Sequence, residues 1–261
     1  MNNVNKTLYI PLYGKAYVSK KGIILHDIKA TEIWDAEALE LRGKSKSKWL
    51  AYYMGMRSAV FDNWLKAQMK KDKDTIIIHI GCGMDSRVER IGTENHLWYD
   101  VDFPEVIQER RQYFYETSEY HMIEADVRDN SWVTSLPKEN KAIIVMEGVS
   151  MYLSLSELRC FLKDMSNHFS HVNILMDCYT TLAAKVSKYK NPINGFGVTV
   201  VHGIDNPKML EDSTGISFVK EHDMTPTILI DELKGMERII FKKFFGGSIS
   251  KKLYRLYEYK G

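Results

Sequence analysis

Residues 75–85 have the sequence TIIIHIGCGMD, in which a run rich in apolar residues ends at Gly81-Cys82-Gly83. A strand without regular polar alternation is typical of a parallel sheet that is buried on both faces. The paired glycines allow the backbone to turn tightly against a ligand. This pattern predicts an α/β fold with a nucleotide-cofactor loop. Alternatively, the glycines only tighten a strand-to-helix turn, because a lone GxG is a weak signal.

The residues that follow the glycines indicate which cofactor fits. A dinucleotide-binding loop has the pattern GxGxxG and places a pyrophosphate at a helix N-terminus. Here Ser86 occupies the third glycine position, and Asp85 adds a negative charge. An acidic loop suits a cofactor without phosphates, and S-adenosylmethionine, which carries a sulfonium and an ammonium group, is the candidate. A nicotinamide dehydrogenase is disfavoured.

Three further apolar runs end in carboxylates. A carboxylate about twenty residues after a glycine loop is where a fold of this kind places its ribose ligand, since it can accept from both hydroxyls. The carboxyl ends of successive strands line one crevice of an open α/β sheet, so we expect these acids to meet there. The runs are residues 96–102, ending in Asp100 and Asp102, residues 120–125, before Asp126, and residues 142–146, before Glu147.

The first 72 residues are predicted to form a helical cap, with helices at residues 26–41 and 47–71. In the second helix the apolar positions form one stripe, and Arg57 falls inside it. A buried guanidinium requires a counter-anion, since leaving it unpaired costs several kcal/mol. That anion is either an internal carboxylate, such as Asp62 or Asp27, or part of a bound ligand.

Four motifs in this order resemble the leucine carboxyl methyltransferase family, including its tetracenomycin-type polyketide O-methyltransferase branch. They are GCGMDSR, WYDVDFPEVI, EADVRD with Trp132 after it, and MEGVSMYLS. The similarity begins at LYGKAYVSKKGIILHD, extends to about Asp177 and returns weakly at VHGID. The resemblance implies a Rossmann-like class I methyltransferase, with a mostly parallel seven-stranded sheet, helices on both faces, an N-terminal helical extension and an insertion after strand five.

The resemblance also implies a role for individual residues in binding S-adenosylmethionine and its product, S-adenosylhomocysteine. The residues matched to the cofactor are Lys15 and Arg57 at the methionyl carboxylate, Gly81 and Gly83 at the methionine moiety, Asp102 at the ribose, Asp126 and Val127 at the adenine edge, and Glu147 near the amino group. Asp100 is the second choice for the ribose. Tyr152 is a candidate for the acceptor pocket.

Several of these residues have a simpler interpretation. Asp102 could cap the helix predicted at 105–116, which Pro104 opens, because Asp is a favoured N-cap residue. Lys15 could be a solvated surface lysine, Asp126 a turn residue and Tyr152 part of the core. His79 is predicted to be a satisfied core histidine rather than a base. Ser86 is not a credible nucleophile, because the GxSxG pattern is missing.

The second half of the chain is predicted to shape the acceptor site. Residues 179–212 follow the fifth predicted strand, at 171–178, and mix lysine, proline and glycine, which is typical of a mobile connection or lid. The last two strands are predicted at 216–219 and 252–257, the second as part of an antiparallel edge hairpin, with a helix at 226–245 between them.

The resemblance implies an O-methyltransferase that acts on a carboxylate or hydroxyl of a small molecule. A protein or peptide carboxyl methyltransferase and a non-catalytic cofactor-binding homologue are the alternatives. No residue stands out in the sequence as a dedicated base. An acceptor that is already ionised, a carboxylate or an acidic phenol, needs none.

Composition adds few constraints. The 36 basic residues nearly balance the 34 acidic residues, so nothing demands a nucleic acid or a membrane surface. Cys82, Cys160 and Cys178 lack metal-ligand spacing and are predicted to be buried thiols in a reducing compartment. We expect a cytoplasmic protein without a metal and with a single domain, made of a cap (1–72), a cofactor-binding core (73–178) and an acceptor-side region (179–261).

Overall fold

A computed structural model describes residues 8–37, 43–138, 141–190 and 200–261. Its centre is a sheet of seven strands. They are β1 (Thr75–Ile80), β2 (Trp98–Asp102), β3 (Tyr120–Glu124), β4 (Lys141–Met146), β5 (His171–Tyr179), β6 (Ser217–His222) and β7 (Tyr254–Lys260). The strand order is β3-β2-β1-β4-β5-β7-β6. The neighbours among β1 to β5 pair in parallel, and β7 is antiparallel to both β5 and β6.

Helices cover both faces of the sheet, and three of them precede its first strand. They are α1 (Tyr9–Lys20), α2 (Ile28–Ala36), α3 (Lys48–Met69), α4 (Arg87–Ile91), α5 (Pro104–Arg110), α6 (Leu155–His168), α7 (Thr181–Lys190), α8 (Thr227–Ile230), α9 (Gly235–Phe245) and α10 (Gly247–Ser250). Among the described residues, no helix is both long enough and apolar enough to cross a membrane.

Two apolar cores lie on opposite faces of the sheet. Alternate residues of β1 point to opposite sides, as the period of a strand requires. Ile77 belongs to the core shared with α1, α2 and α3. Ile76 and Ile78 belong to the core shared with α6, which a capping box of Ser154 and Glu157 begins. The predicted seven-stranded sheet with helices on both faces is therefore confirmed.

The register aligns the ends of the central strands. Ile80, the last residue of β1, pairs with Val101 and with Met146. Met146 in turn pairs with Met176 of β5. The chain segments that follow these strands consequently leave the sheet at one edge, where the polar residues of successive strands can converge.

Several predicted boundaries were wrong. The helix predicted at 226–245 is interrupted at residues 231–234, and α9 then begins at Gly235, whose left-handed φ of 53° favours glycine. The helix predicted to run to residue 116 ends at Arg110. Strands β6 and β7 pair antiparallel and form one edge of the sheet, as predicted, but a helical segment rather than a hairpin turn connects them. Residues 38–41 of the first predicted helix, and 191–199 of the predicted connection, lie outside the described residues.

One cysteine differs from its prediction. Cys82 and Cys178 are buried, whereas Cys160 is exposed on α6. The buried face of that helix is formed by Leu158, Phe161, Leu162 and Met165. At 3.6 residues per turn, position 160 falls on the solvent side of this face.

Candidate functional site

A cavity of about 890 Å³ opens at the carboxyl ends of β1, β2, β3 and β4. The strand order reverses between β1 and β4, which is where open α/β sheets bind their ligands. Every residue predicted for the cofactor lines this cavity, as does Tyr152. The set is Lys15, Arg57, Gly81, Gly83, Asp102, Asp126, Val127, Glu147 and Tyr152.

The glycine loop requires glycine for steric reasons. Gly81 and Gly83 have left-handed φ values of 64° and 50°. A Cβ added at Gly81 would stand 2.2 Å from Cγ2 of Val149, a distance that a real side chain does not tolerate. The loop therefore places backbone atoms directly in the cavity wall, where a ligand can approach them closely.

Asp102 is held by backbone amides at the end of β2. Its Oδ2 accepts a hydrogen bond from the Gly83 amide, and its Oδ1 accepts one from the Phe103 amide, both at 2.8 Å. Phe103 is itself the N-cap residue of α5, so Asp102 bonds no amide inside that helix. The predicted alternative, a helix cap, is therefore wrong. Burial raises the pKa of this carboxyl to about 6.

Asp100, the second candidate for the ribose, faces the core. It is fully buried and accepts hydrogen bonds from the Tyr120 hydroxyl at 2.7 Å and from Trp98 Nε1 at 2.9 Å. Burial opposes its charge, but the neighbouring Arg110 guanidinium lowers its pKa to about 2. Asp100 is not part of the cavity lining. The geometry favours Asp102 over Asp100 as the ligand contact.

Arg57 is buried and ion-paired. Its Nε donates to Oε1 of Glu147 and its Nη1 donates to Oδ2 of Asp177, each at 3.0 Å. Asp62 and Asp27, the two internal partners suggested by the sequence, are instead paired with arginines of α4. Arg57 thus has internal carboxylate partners and also lines the cavity.

Glu147 accepts hydrogen bonds from three side chains of the protein. Oε1 accepts from Arg57 and from the Ser58 hydroxyl at 2.9 Å, and Oε2 accepts from Arg87. Burial opposes its charge, but Arg57 and Arg87 lower its pKa to about 2. A carboxylate offers about four acceptor positions, so one remains for a cationic group in the cavity.

Lys15 is almost fully buried, with 2% of its surface exposed, so the prediction of a solvated surface lysine is wrong. Its Nζ lies 3.1 Å from Oδ2 of Asp85. Asp85 also pairs with Arg87 and Arg90, at 3.3 and 2.8 Å. Burial would raise the pKa of Asp85, but these three cations hold it well below its usual value. The charge of Asp85 is neutralised, so it is a weaker argument against a phosphate ligand than the sequence suggested.

The two arginines of α4 were not identified from the sequence. Arg87 and Arg90 are buried and join the glycine loop to α2, α3 and β4. The only signal was their position directly after the loop, in the run GCGMDSRVER. Ser86, directly before Arg87, donates its hydroxyl hydrogen to Asp27 and accepts from Arg90, so its hydroxyl helps to hold α4 against the N-cap residue of α2.

These ion pairs form one connected cluster with a surplus of negative charge. Its cations are Lys15, Arg57, Arg87 and Arg90, and its carboxylates are Asp27, Asp62, Asp85, Glu147 and Asp177. His79, which contacts Arg87, adds no compensating charge, because burial lowers its pKa. A ligand with one net positive charge, such as S-adenosylmethionine, suits this wall better than a pyrophosphate.

Asp126 and Val127 form another part of the cavity wall. Asp126 Oδ1 accepts from the Arg128 amide at 3.0 Å and from Arg128 Nε at 2.9 Å. The hydrogen bond from Arg128 lowers the pKa of Asp126. Asp126 therefore makes the turn that its simpler interpretation required, and it also borders the cavity.

The remaining cavity wall is apolar and aromatic. It includes Tyr53, Met151, Tyr152, Tyr179, Phe245 and Tyr254. The acidic residues and the histidine among the described lining residues come from strands β1 to β4 and the turns that follow them. We call these residues, together with Lys15, Arg57 and the glycine loop, the charged half of the cavity lining, and the apolar and aromatic set its apolar half. In the described ranges, no group of three or more histidine, cysteine or acidic residues could hold a metal ion.

A family model and two curated relatives match the chain. The family model for leucine carboxyl methyltransferase matches residues 6–165. The chain is 25% identical to the tetracenomycin polyketide synthesis O-methyltransferase TcmP of Streptomyces glaucescens, over 91% of this chain and 89% of that protein. It is 29% identical to the S-adenosyl-L-methionine-dependent methyltransferase dpfgK of Gibberella zeae, over 64% of this chain and 61% of that protein.

A solved structure shows the same fold at low sequence identity. Magnesium protoporphyrin IX methyltransferase from Synechocystis PCC 6803, with bound SAH, superposes with a TM-score of 0.50 and 12% identity. The match covers 88% of this chain and 93% of that chain.

Proposed function

The chain belongs to the leucine carboxyl methyltransferase family and is an S-adenosylmethionine-dependent O-methyltransferase, and we propose that its acceptor is a small molecule with a carboxylate or an acidic hydroxyl. The observation that carries this proposal is the two-part cavity. Its charged half contains the residues matched to the cofactor, and its apolar half borders them. The polyketide O-methyltransferase named above supports a small-molecule acceptor.

We propose that the cofactor is held by groups that differ in charge along the cavity. Lys15 and Arg57 would bind its carboxylate, Glu147 its ammonium group and Asp102 its ribose. Gly81 and Gly83 would contact the methionine moiety, and Asp126 and Val127 the adenine edge. Bound S-adenosylmethionine supplies a methyl group on positively charged sulfur, which an oxygen nucleophile can take directly.

The residues of the apolar half would orient the acceptor and exclude water. Positioning of this kind can contribute roughly 7 to 11 kcal/mol to a transfer between two bound molecules. Among the described residues of that half, the titratable groups are tyrosines, and burial raises the pKa of Tyr53 and of Tyr254. Neither can serve as a base near neutral pH. This supports an acceptor that arrives already ionised.

The test combines binding and turnover. Calorimetric titration should show binding of S-adenosylmethionine and S-adenosylhomocysteine and no comparable binding of NAD. Incubation with S-adenosylmethionine and a panel of aromatic and aliphatic carboxylic acids and phenols, followed by mass spectrometry, should reveal a product that has gained one methyl group. Methylation confined to peptide carboxylates would instead support the protein-directed alternative. Binding without any methylated product would support a non-catalytic homologue.

A further inference from the structure

Exposed apolar side chains are concentrated around the mouth of the cavity. Of the 13 large hydrophobic residues exposed among the described residues, nine lie in segments 182–200 and 228–253. Scattered exposed apolar residues need no explanation, but a concentration of them marks an interaction site. Five of the nine also line the cavity, and so form its rim. They are Val186, Val200, Phe244, Ile249 and Leu253.

Helix α9 extends this rim over the surface of the protein. Phe241 is fully buried and anchors the helix, and Glu237 accepts hydrogen bonds from Lys48 and Tyr52 of α3 at 2.8 and 2.5 Å. These contacts fix the orientation of α9, and with it the side of the helix that faces solvent. Met236 and Ile239 are 67% and 57% exposed on it, and Phe244, 56% exposed, brings the apolar side to the mouth.

The same segment is strongly basic. Between residues 234 and 252 the single acid is Glu237, which is already paired with Lys48. The basic residues are Lys234, Arg238, Lys242, Lys243, Lys251 and Lys252, of which Lys251 is paired with Glu221 of β6. The whole chain has a net charge of only +2, so its overall balance conceals this local excess. We define the mouth face as this basic set together with Met236, Ile239, Phe244, Ile249 and Leu253.

We propose that the mouth face docks on an anionic lipid surface. Apolar residues flanked by lysines are the features by which amphipathic helices lie in the interface of a bilayer, and anionic headgroups attract the lysines. A second copy of this chain fits less well, because two mouth faces would bring like charges together. The cavity would then open toward the bilayer, and an acceptor with an apolar body and one acidic group could enter it from the interface.

The test is a flotation assay with the full chain. Vesicles of phosphatidylcholine with phosphatidylglycerol should bind the protein, pure phosphatidylcholine vesicles should bind it weakly, and added salt should reduce binding. The variant Lys242→Glu/Lys243→Glu should lower the partition coefficient at least about tenfold. Ile239→Ser/Phe244→Ser should lower it as well. The matched controls are Lys163→Glu, on the exposed side of α6, and Met209→Ser, which is exposed away from the mouth.

Binding of S-adenosylhomocysteine and the melting temperature would verify that each variant is folded. The readout is adsorption, so the result does not depend on the identity of the acceptor or on turnover. Failure of the unmodified chain to float with anionic vesicles, or equal loss in the controls, would overturn the proposal. Sedimentation that shows a dimer broken by Ile239→Ser/Phe244→Ser, without vesicle binding, would assign the mouth face to a second copy and would also overturn it.

Discussion

Arg57 and Glu147 form an ion pair in the wall of the cavity, with Nε of the arginine 3.0 Å from Oε1 of the glutamate. Asp177 accepts a hydrogen bond from a second guanidinium nitrogen, Nη1. The third nitrogen, Nη2, takes no part in these two ion pairs and lies close to Gly148, which also lines the cavity. A bound carboxylate could therefore complete the coordination of Arg57 without breaking its internal pairs.

Replacing Arg57 with methionine should reduce both stability and cofactor affinity. Removing one partner of a buried ion pair costs about 3 to 5 kcal/mol, because the remaining charge is uncompensated. Here Asp177 would lose its cation, whereas Glu147 keeps Arg87. Chemical denaturation would measure the first effect. Titration with S-adenosylhomocysteine would measure the second, for which we expect a loss of at least about tenfold.

The double variant Arg57→Met/Asp177→Asn separates these effects. Neutralising Asp177 removes the unpaired charge, so a large part of the lost stability should return. Affinity for S-adenosylhomocysteine should stay low, because the proposed carboxylate contact is still missing. Recovery of full affinity in the double variant would mean that Arg57 serves only the internal ion pair.

Lys15→Met should lower the affinity for the cofactor while leaving the stability of the protein nearly unchanged. Asp85 would keep Arg87 and Arg90, so its charge stays compensated and the melting temperature should change little. The proposed second contact to the cofactor carboxylate would be lost, and we expect affinity for S-adenosylhomocysteine to fall about tenfold. A large drop in melting temperature with unchanged affinity would show that Lys15 is structural.

Glu147→Gln tests the proposed contact to the ammonium group. The variant retains the shape of the side chain but removes the charge. Affinity for S-adenosylhomocysteine should fall about tenfold, whereas affinity for the analogue without the amino group should change much less. Equal losses for the two ligands would indicate that Glu147 acts by holding Arg57 and Arg87 in place.

The sequence predicted the parts of the site that depend on local pattern. The buried strand before Gly81 and the acids after β2, β3 and β4 follow from the geometry of a parallel sheet, in which strand ends share one edge. The structure brings Gly81, Asp102, Asp126 and Glu147 to one cavity, whereas Asp100 faces the core. Their contacts with the cofactor remain predictions.

The parts that were missed depend on contacts between distant segments. Arg90 pairs with Asp27 and Asp62, far from it in the sequence. No periodicity links such positions, so their partners could not be inferred. The break before α9 was missed for a different reason. The helix breaks at residues 231–234, before Gly235, and the periodicity of apolar residues does not reveal a left-handed backbone φ such as that of Gly235.

Asp102 should make cofactor binding depend on pH. Burial raises the pKa of Asp102 to about 6 in the folded protein, above its usual value, so the folded state holds the proton more tightly than the unfolded state. Its contribution to stability is therefore greatest below about pH 4 and is lost as the pH rises through 6. Ribose hydroxyls donate to the ionised form. Affinity for S-adenosylhomocysteine should thus increase between about pH 5 and pH 7.

Asp102→Asn should abolish this dependence and lower affinity at pH 7 by at least about tenfold. The amide has one acceptor oxygen, so one of the two backbone bonds to Gly83 and Phe103 is lost, at about 1 to 3 kcal/mol of stability. Asp100→Asn is the matched control, because its pKa of about 2 keeps it ionised throughout the range. That variant should destabilise the core around Arg110 yet retain the rise in affinity with pH. If Asp100→Asn removes the rise and Asp102→Asn retains it, the ribose contact lies on Asp100, two residues earlier than proposed.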